Sequence, residues 1–332
     1  MKKKAKRILW GSILLLLLFG AAGAGTVYYY LFYPQLYPTG KVSLYIDGDD
    51  TLDSVCHKLS RIPSGNLSVF RWMARYRGYD RHIRTGHYVV SPRENVYQLF
   101  SRLYRGYQQP VNLVIGSVRT IDKLAHNLDT QLMLDSAQLA AALAPEPLSL
   151  IIPNTYQVYW NLSAAALVER LRQEHDRFWN ADRRAKAAAI HLTPEEVTTL
   201  ASIVEEETND AAEKPTVAGL YLNRLRIGMP LQADPTVKYA VGNFELRRIT
   251  GDMLQTDSPY NTYLHTGLPP SPIRIPTPAS IDAVLNPAVH RYLYMCAKED
   301  FSGTHNFATN LADHNRNARK YRQALNRRGI FR

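Results

Sequence analysis

The sequence has 332 residues, 45% apolar and 21% charged, enough to build a core and too long for one small domain. Its formal charge is +11, but Lys2, Lys3, Lys4, Lys6 and Arg7 supply five of those charges, and residues 41–332 hold 35 basic against 29 acidic residues, a diffuse surplus of +6. That excludes a nucleic-acid binder with a dedicated basic stripe and suits a weakly anionic polymer or a membrane surface. The two distant cysteines, Cys56 and Cys296, exclude a disulfide scaffold and any Cys-x-x-Cys centre.

Residues 8–40 carry no charge, and from Ile8 to Tyr33 the run is almost wholly apolar or aromatic. A bilayer core needs ~20 apolar residues as helix, so 8–33 reads as a transmembrane helix. The basic tail 1–7 puts the N-terminus in the cytoplasm, and Tyr28, Tyr29, Tyr30 and Tyr33 form an aromatic belt at the other end. The alternative is a cleaved signal peptide with Ala21–Ala24 at the cleavage region. Continuation of the apolar run to Tyr33 favours the retained anchor, and both readings put the bulk of the chain outside the cytoplasm. The anchor shares no periodic pattern with the rest of the chain, so it is expected to stay out of the core.

Pro34–Gly40 reads as a juxtamembrane linker. Val42–Ile46 has a strand pattern; Asp49, Asp50 and Thr51 then offer a helix cap before Leu52, Val55 and Leu59 at helical spacing. A helix near Leu67–Tyr76, a strand at Tyr88–Val90 and a helix over Glu94–Tyr104 complete a small α+β unit at 41–108. Pro110–Ile115 reads as a strand and Ile121–Leu128 as a helix. Residues 130–190 are Ala- and Leu-rich and helical, broken at Leu150–Tyr159. No internal repeat is present.

The most informative helix opens at Thr193, a good N-cap, with Pro194 at the first helical position and Glu196 three residues after the cap. Val197, Leu200, Ala201 and Val204 make one apolar face. The helix then runs into Glu205, Glu206 and Glu207, three acids where the helix dipole disfavours negative charge. At 100° per residue they diverge. Glu206 points away from the apolar face and is expected to be solvated, while Glu205 borders that face beside Ala201. Glu207 follows Val204 by three, Ile203 by four and Leu200 by seven, so it sits on the opposite border among large apolar side chains. A partly desolvated carboxyl there has a raised pKa, as a general acid near neutrality requires. The bland alternative, which these residues leave open, is a carboxylate paired with a buried Arg such as Arg224.

Downstream, Asn223–Gly228 closes a helix, and Leu231–Tyr239, Pro259–Tyr263 and Thr266–Pro270 are rich in Gln, Asn, Thr and Tyr without apolar period. Such groups are turn formers; they also suit sugar hydroxyls and N-acetyl groups. Arg291–Ala297 reads as a buried strand with Cys296 as inert core. His305 and His314 lack metal-ligand spacing and an acidic or thiol cluster, so no metal is expected.

The stretch Ala201–Thr208 resembles the MltG/YceG-like family of endolytic peptidoglycan transglycosylases. The likeness continues through Asn223–Gly228, Leu231–Tyr239 (Leu-Gln-Ala-Asp-Pro-Thr-Val-Lys-Tyr), Ser258–Tyr263, Gly267–Pro270 and His305–His314, in the family's order. It implies an α+β chain: an N-terminal transmembrane helix, a linker at 34–40, a small LysM-like subdomain at 41–108, and a mixed α+β catalytic domain at 109–332. It also implies that Glu207 is the catalytic acid, in agreement with the helical-face argument. Gln232, Asp234, Thr236, Asn261, Tyr263, Asn154, Tyr156 and Asn310 become candidate substrate-binding residues. The family's Pro-Asp-Thr-Tyr is Pro-Asn-Thr-Tyr here, and Asn154 can hydrogen-bond a sugar but supplies no charge or proton. Asp234 is the nearest second carboxylate, although Asp-Pro-Thr more naturally caps a helix.

The implied activity is cleavage of the β-1,4 bond between N-acetylmuramic acid and N-acetylglucosamine within glycan strands, leaving 1,6-anhydro ends, by a lytic transglycosylase of the inner membrane with its catalytic domain periplasmic. The implied partners are glycan strands, the membrane and peptidoglycan synthases, with no cofactor and no nucleic acid. The competing readings are a non-catalytic cell-wall-binding regulator of synthesis, and a muramidase that uses the same Glu with water.

Overall fold

The computed structural model describes residues 2–246 and 249–329, and the chain divides into two units. The first holds residues up to Leu113 with the short segments Gln131–Met133 and Gln157–Leu162; the second holds the rest.

In the first unit, α1 (Lys2–Phe32) carries a 27-residue stretch from Lys6 to Phe32 of mean hydropathy 2.0. At 1.5 Å per residue this is ~40 Å, longer than the ~30 Å bilayer core. It is long and apolar enough to cross a membrane. Contrary to the sequence expectation, its last turn joins the packed unit. Leu31 packs against the core, the Phe32 ring lies 5.2 Å from that of Tyr97, and Asn95 Nδ2 donates to the Phe32 carbonyl.

After α1 come β1 (Val42–Ile46), α2 (Leu52–Ser60), α3 (Ser68–Tyr76), β2 (Gly86–Val90) and α4 (Val96–Arg105). β1 and β2 pair antiparallel with Leu44 opposite Tyr88, and the helices cover one face over Leu44, Ile46, Val55, Phe70, Leu99 and Leu103. Thr51 and Asn95 close capping boxes at the starts of α2 and α4, as short helices require to satisfy their first N–H groups. The chain passes between the units within β3 (Val111–Ile115) and again within β4 (Asn154–Val158).

The second unit contains α5 (Ile121–Asp129), α6 (Ser136–Leu143), α7 (Ala164–Phe178), α8 (Ala181–Ala189), α9 (Pro194–Glu207), α10 (Lys214–Arg226), α11 (Asp234–Val241), α12 (Pro278–Leu285), β5 (Tyr294–Ala297), β6 (His305–Ala308) and α13 (Leu311–Arg327). Its central element is α9. The capping box at Thr193 and Pro194 start it as the sequence predicts. Instead of burying one stripe, α9 is buried at every residue from Val197 to Val204. Its hydroxyls are tolerated there because each finds a carbonyl: Thr198 donates to Pro194 O at 2.8 Å, Thr199 to Glu195 O at 2.9 Å and Ser202 to Thr199 O at 2.6 Å. Val197, Leu200, Ile203 and Val204 are fully buried, each worth ~2 kcal/mol of transfer free energy. They pack against α10 and α12 through Leu220, Ile281 and Val284. Gly219 lets α10 approach the chain at Ala288 closely: a Cβ there would lie 2.4 Å from Ala288 O.

Candidate active site

Glu207 is the last residue of α9 and faces a cavity of about 240 Å³. One wall is α10, through Leu220, Tyr221 and Arg224. The turn before α11 contributes Leu231, Gln232 and Asp234, the loop after it Tyr263, and the β5–β6 pair Met295, Cys296, Ala297 and His305. Arg224, only 7% exposed, fastens three of these pieces. Its Nε donates to Leu293 O at 2.6 Å and its Nη1 to Pro230 O at 3.3 Å and Leu231 O at 2.6 Å. It makes no ion pair with Glu207; its Nε and Nη1 are spent on carbonyls.

Among the described residues the Glu207 carboxyl accepts one hydrogen bond, from Tyr221 Oη at 2.8 Å. Burial pushes its pKa up to about 7. The Asp234 charge adds to the rise, whereas the Tyr221 hydrogen bond and the positive potentials of His305 and Arg224 oppose it. The Tyr221 hydroxyl is itself held far above its ordinary range by burial and by the Glu207 charge, so it stays a donor.

The neighbouring acids differ. Glu206 is not solvated, as the helix projection suggested. Arg119 holds both its oxygens at 2.7 Å and Arg274 reaches Oε1 at 2.9 Å. These arginines come from residues 87 and 68 positions away, so no local pattern reveals them. Glu205 accepts from Lys214 at 3.0 Å, from Thr277 Oγ1 at 2.7 Å and from Ser280, and these donors hold its carboxyl below the usual range against the opposing effect of burial. Both are fully engaged inside the protein; Glu207 alone of the three lines the cavity.

Gln232, Asp234 and Tyr263 share the cavity with Glu207. Gln232 is held at φ 48, a left-handed conformation costly for a residue with a Cβ, and its N–H is tied to Thr262 O at 3.0 Å. Asp234 does not cap α11. It is the first helical residue, and its Oδ1 accepts from Tyr263 Oη at 2.6 Å. Thr236 and Asn261 are fully buried and do not line the cavity. Thr236 bonds Thr262 at 2.8 Å, and Asn261 donates to Leu254 O and Thr256 O and accepts from Tyr263 N, so both shape the loops that present Gln232 and Tyr263. Asn154, Tyr156 and Asn310 also lie outside the cavity wall. Asn154 is exposed at the start of β4, Tyr156 is buried with its hydroxyl on Ile152 O, and Asn310 caps α13.

Cys296, expected as inert core, is half-buried at the cavity wall, and burial raises its thiol pKa. Tyr221 and His305 are functional candidates that the sequence alone does not single out. For Tyr221 the signal was a lone hydroxyl in the apolar run Val217–Leu222; for His305 no local pattern exists, because its partner Glu213 lies 92 residues earlier.

The YceG-like family model matches residues 44–320 of the chain. Similar proteins include the endolytic murein transglycosylase of Bacillus subtilis, 38% identical over 148 residues, covering 45% of this chain and 39% of that protein. That of Streptococcus pneumoniae is 25% identical over 295 residues, covering 76% of this chain; the chain spans 53% of its length. Among solved structures, a YceG-like protein of Listeria monocytogenes has a TM-score of 0.55 at 26% identity, covering 83% of this chain and 98% of that one. The second unit's helices, the cavity at the end of α9 and these matches agree: the chain belongs to the YceG-like family.

Proposed function

We propose that the protein is a membrane-anchored lytic transglycosylase that cleaves the bond between N-acetylmuramic acid and N-acetylglucosamine inside peptidoglycan strands. The observation that carries this is that Glu207, which shares the cavity wall with Asp234, has its pKa pushed up by burial to about 7. At pH 7 an ordinary Glu of pKa ~4.3 is protonated in about one molecule in 500, whereas a pKa raised to about 7 keeps a far larger share of Glu207 protonated. Glu207 gives its proton to the bridging oxygen as the C1–O4 bond breaks through an oxocarbenium-like transition state. The muramic 6-hydroxyl then closes on C1, and its proton passes to a base in the cleft; one carboxylate suffices for both half-steps. No water is consumed. Gln232, Asp234 and Tyr263 hold the sugar, and Asp234 supplies negative charge beside the developing cation.

In this reading α1 crosses the inner membrane with residues 1–7 cytoplasmic, residues 41–108 act as a LysM-like glycan-binding subdomain, and 109–332 are the catalytic domain. Its role is to terminate or trim nascent strands beside peptidoglycan synthases. Mass analysis of the fragments made from isolated glycan strands tests the activity. Anhydro ends that disappear in E207Q are expected; reducing ends would make the protein a muramidase, and no cleavage would make it a binding protein.

A further inference from the structure

The cavity holds a second group built for proton transfer. His305 is the first residue of β6, and its place opposite Ala297 in the β5–β6 register puts it in the cavity wall. Its Nδ1 lies 2.8 Å from Glu213 Oε2, and its backbone N–H donates to Glu213 Oε1 at 2.7 Å. Glu213, at the N-terminal boundary of α10, is only 9% exposed, so both its oxygens are committed to one residue of a distant strand. A carboxylate only accepts, so the imidazole proton sits on Nδ1. In its neutral form the ring presents a lone pair at Nε2, which has no hydrogen-bond partner among the described residues. A base oriented by a buried acid, beside an acid of near-neutral pKa in one cavity, is the arrangement of a two-group proton-transfer site.

We propose that the Glu213–His305 pair is the base of this site: His305 takes the proton of the attacking hydroxyl while Glu213 fixes its tautomer and angle. This rests on the transglycosylase reading and adds a second group to it. In the balanced step, the C1–O4 bond breaks and O4 receives the Glu207 proton; the C1–O6 bond forms and the O6 proton passes to His305 Nε2. Glu207 leaves the cycle ionised and His305 protonated, and exchange with solvent restores both. His305 is thus a catalytic residue and Glu213 a positioning residue.

The test compares H305N, H305A, E213Q and E207Q in the full chain, by rate of strand cleavage, fraction of anhydro ends and melting temperature. H305N places an amide donor where Nδ1–H was, so it keeps the link to Glu213 and loses only Nε2. Expected are melting temperatures near wild type for H305N and cleavage reduced ~100-fold, the usual contribution of a positioned base. E213Q leaves one acceptor oxygen for the two N–H groups of His305 and removes the charge, and a fall of ~10-fold with an unchanged KM is expected. H305N cutting at the wild-type rate with the wild-type anhydro fraction, while E207Q is dead, overturns the pair and leaves the transglycosylase reading standing. An active E207Q overturns that reading, and this inference with it. Should H305A fail to fold while H305N folds and stays active, His305 is a structural link and the proposal is wrong.

Discussion

Tyr221 on α10 donates its hydroxyl proton to Glu207 Oε1 on α9 at 2.8 Å, and both side chains face one cavity. The bond favours the ionised carboxyl and burial favours the protonated one. Their balance near pH 7 leaves a group that can both give and take a proton, which a buried Glu without the tyrosine, or an exposed Glu, could not do equally well. Tyr221→Phe removes the opposing influence. The Glu207 pKa is expected to rise, moving the alkaline limb of the rate profile to higher pH. In the proposed mechanism the protonated form is the acid, so the limb falls as pH rises through this pKa. A limb that stays in place or moves down would refute the role given to Tyr221.

Glu207 should also imprint the pH dependence of stability. Its folded pKa of about 7 lies above the ordinary value, so its favourable contribution is complete below ~4.3 and is lost as pH rises through about 7. A shift of this size corresponds to on the order of 3 kcal/mol. E207Q, which cannot ionise, is expected to abolish cleavage and to melt higher than wild type at pH 8.5, with the gap closing towards pH 5. A gap independent of pH would mean that the carboxyl is not held in the protonated form by its surroundings.

Glu205→Gln is expected to behave in the opposite way. Its carboxylate balances Lys214, whose side chain is 10% exposed, and accepts from Thr277 and Ser280. Leaving Lys214 without its counter-charge should cost about 3 kcal/mol, with activity per folded molecule retained. Chemical denaturation beside activity titrated to folded protein separates the two acids. An E205Q variant that is stable but inactive would reverse their assignment.

The last turn of α1 is both the end of an apolar helix and a packed part of the first unit. A chain lacking residues 1–33 is therefore expected to be less stable than one lacking residues 1–27, by ~1–2 kcal/mol for the lost Leu31 and Phe32 contacts. The full chain is expected in the membrane fraction and both truncated chains outside it. Equal melting of the two truncations would show that the α1 contact contributes nothing, and a truncated chain that stays with membranes would show that another segment holds it there.

Local signals were strong where one element decides its own structure. The Thr193 cap, the Pro194 start and the apolar spacing up to Val204 are short-range features, so α9 and the flanked position of Glu207 were legible from residues within one helix. The apolar run of α1 was legible for the same reason. What no window of sequence contains is which side chains meet. Glu206 looked solvated because its partners Arg119 and Arg274 are remote; Asp234 looked like a cap because Tyr263 is 29 residues away; Thr236 and Asn261 looked like ligands because their carbonyl and hydroxyl partners are invisible until the loops close. The sequence by itself thus determined the helices and put a carboxyl on the border of an apolar face. Only the tertiary structure decided that Tyr221 bonds it, that Arg224 is spent on carbonyls and that Glu213 holds His305 at the same cavity, because desolvation and hydrogen bonding depend on distances that the fold alone sets.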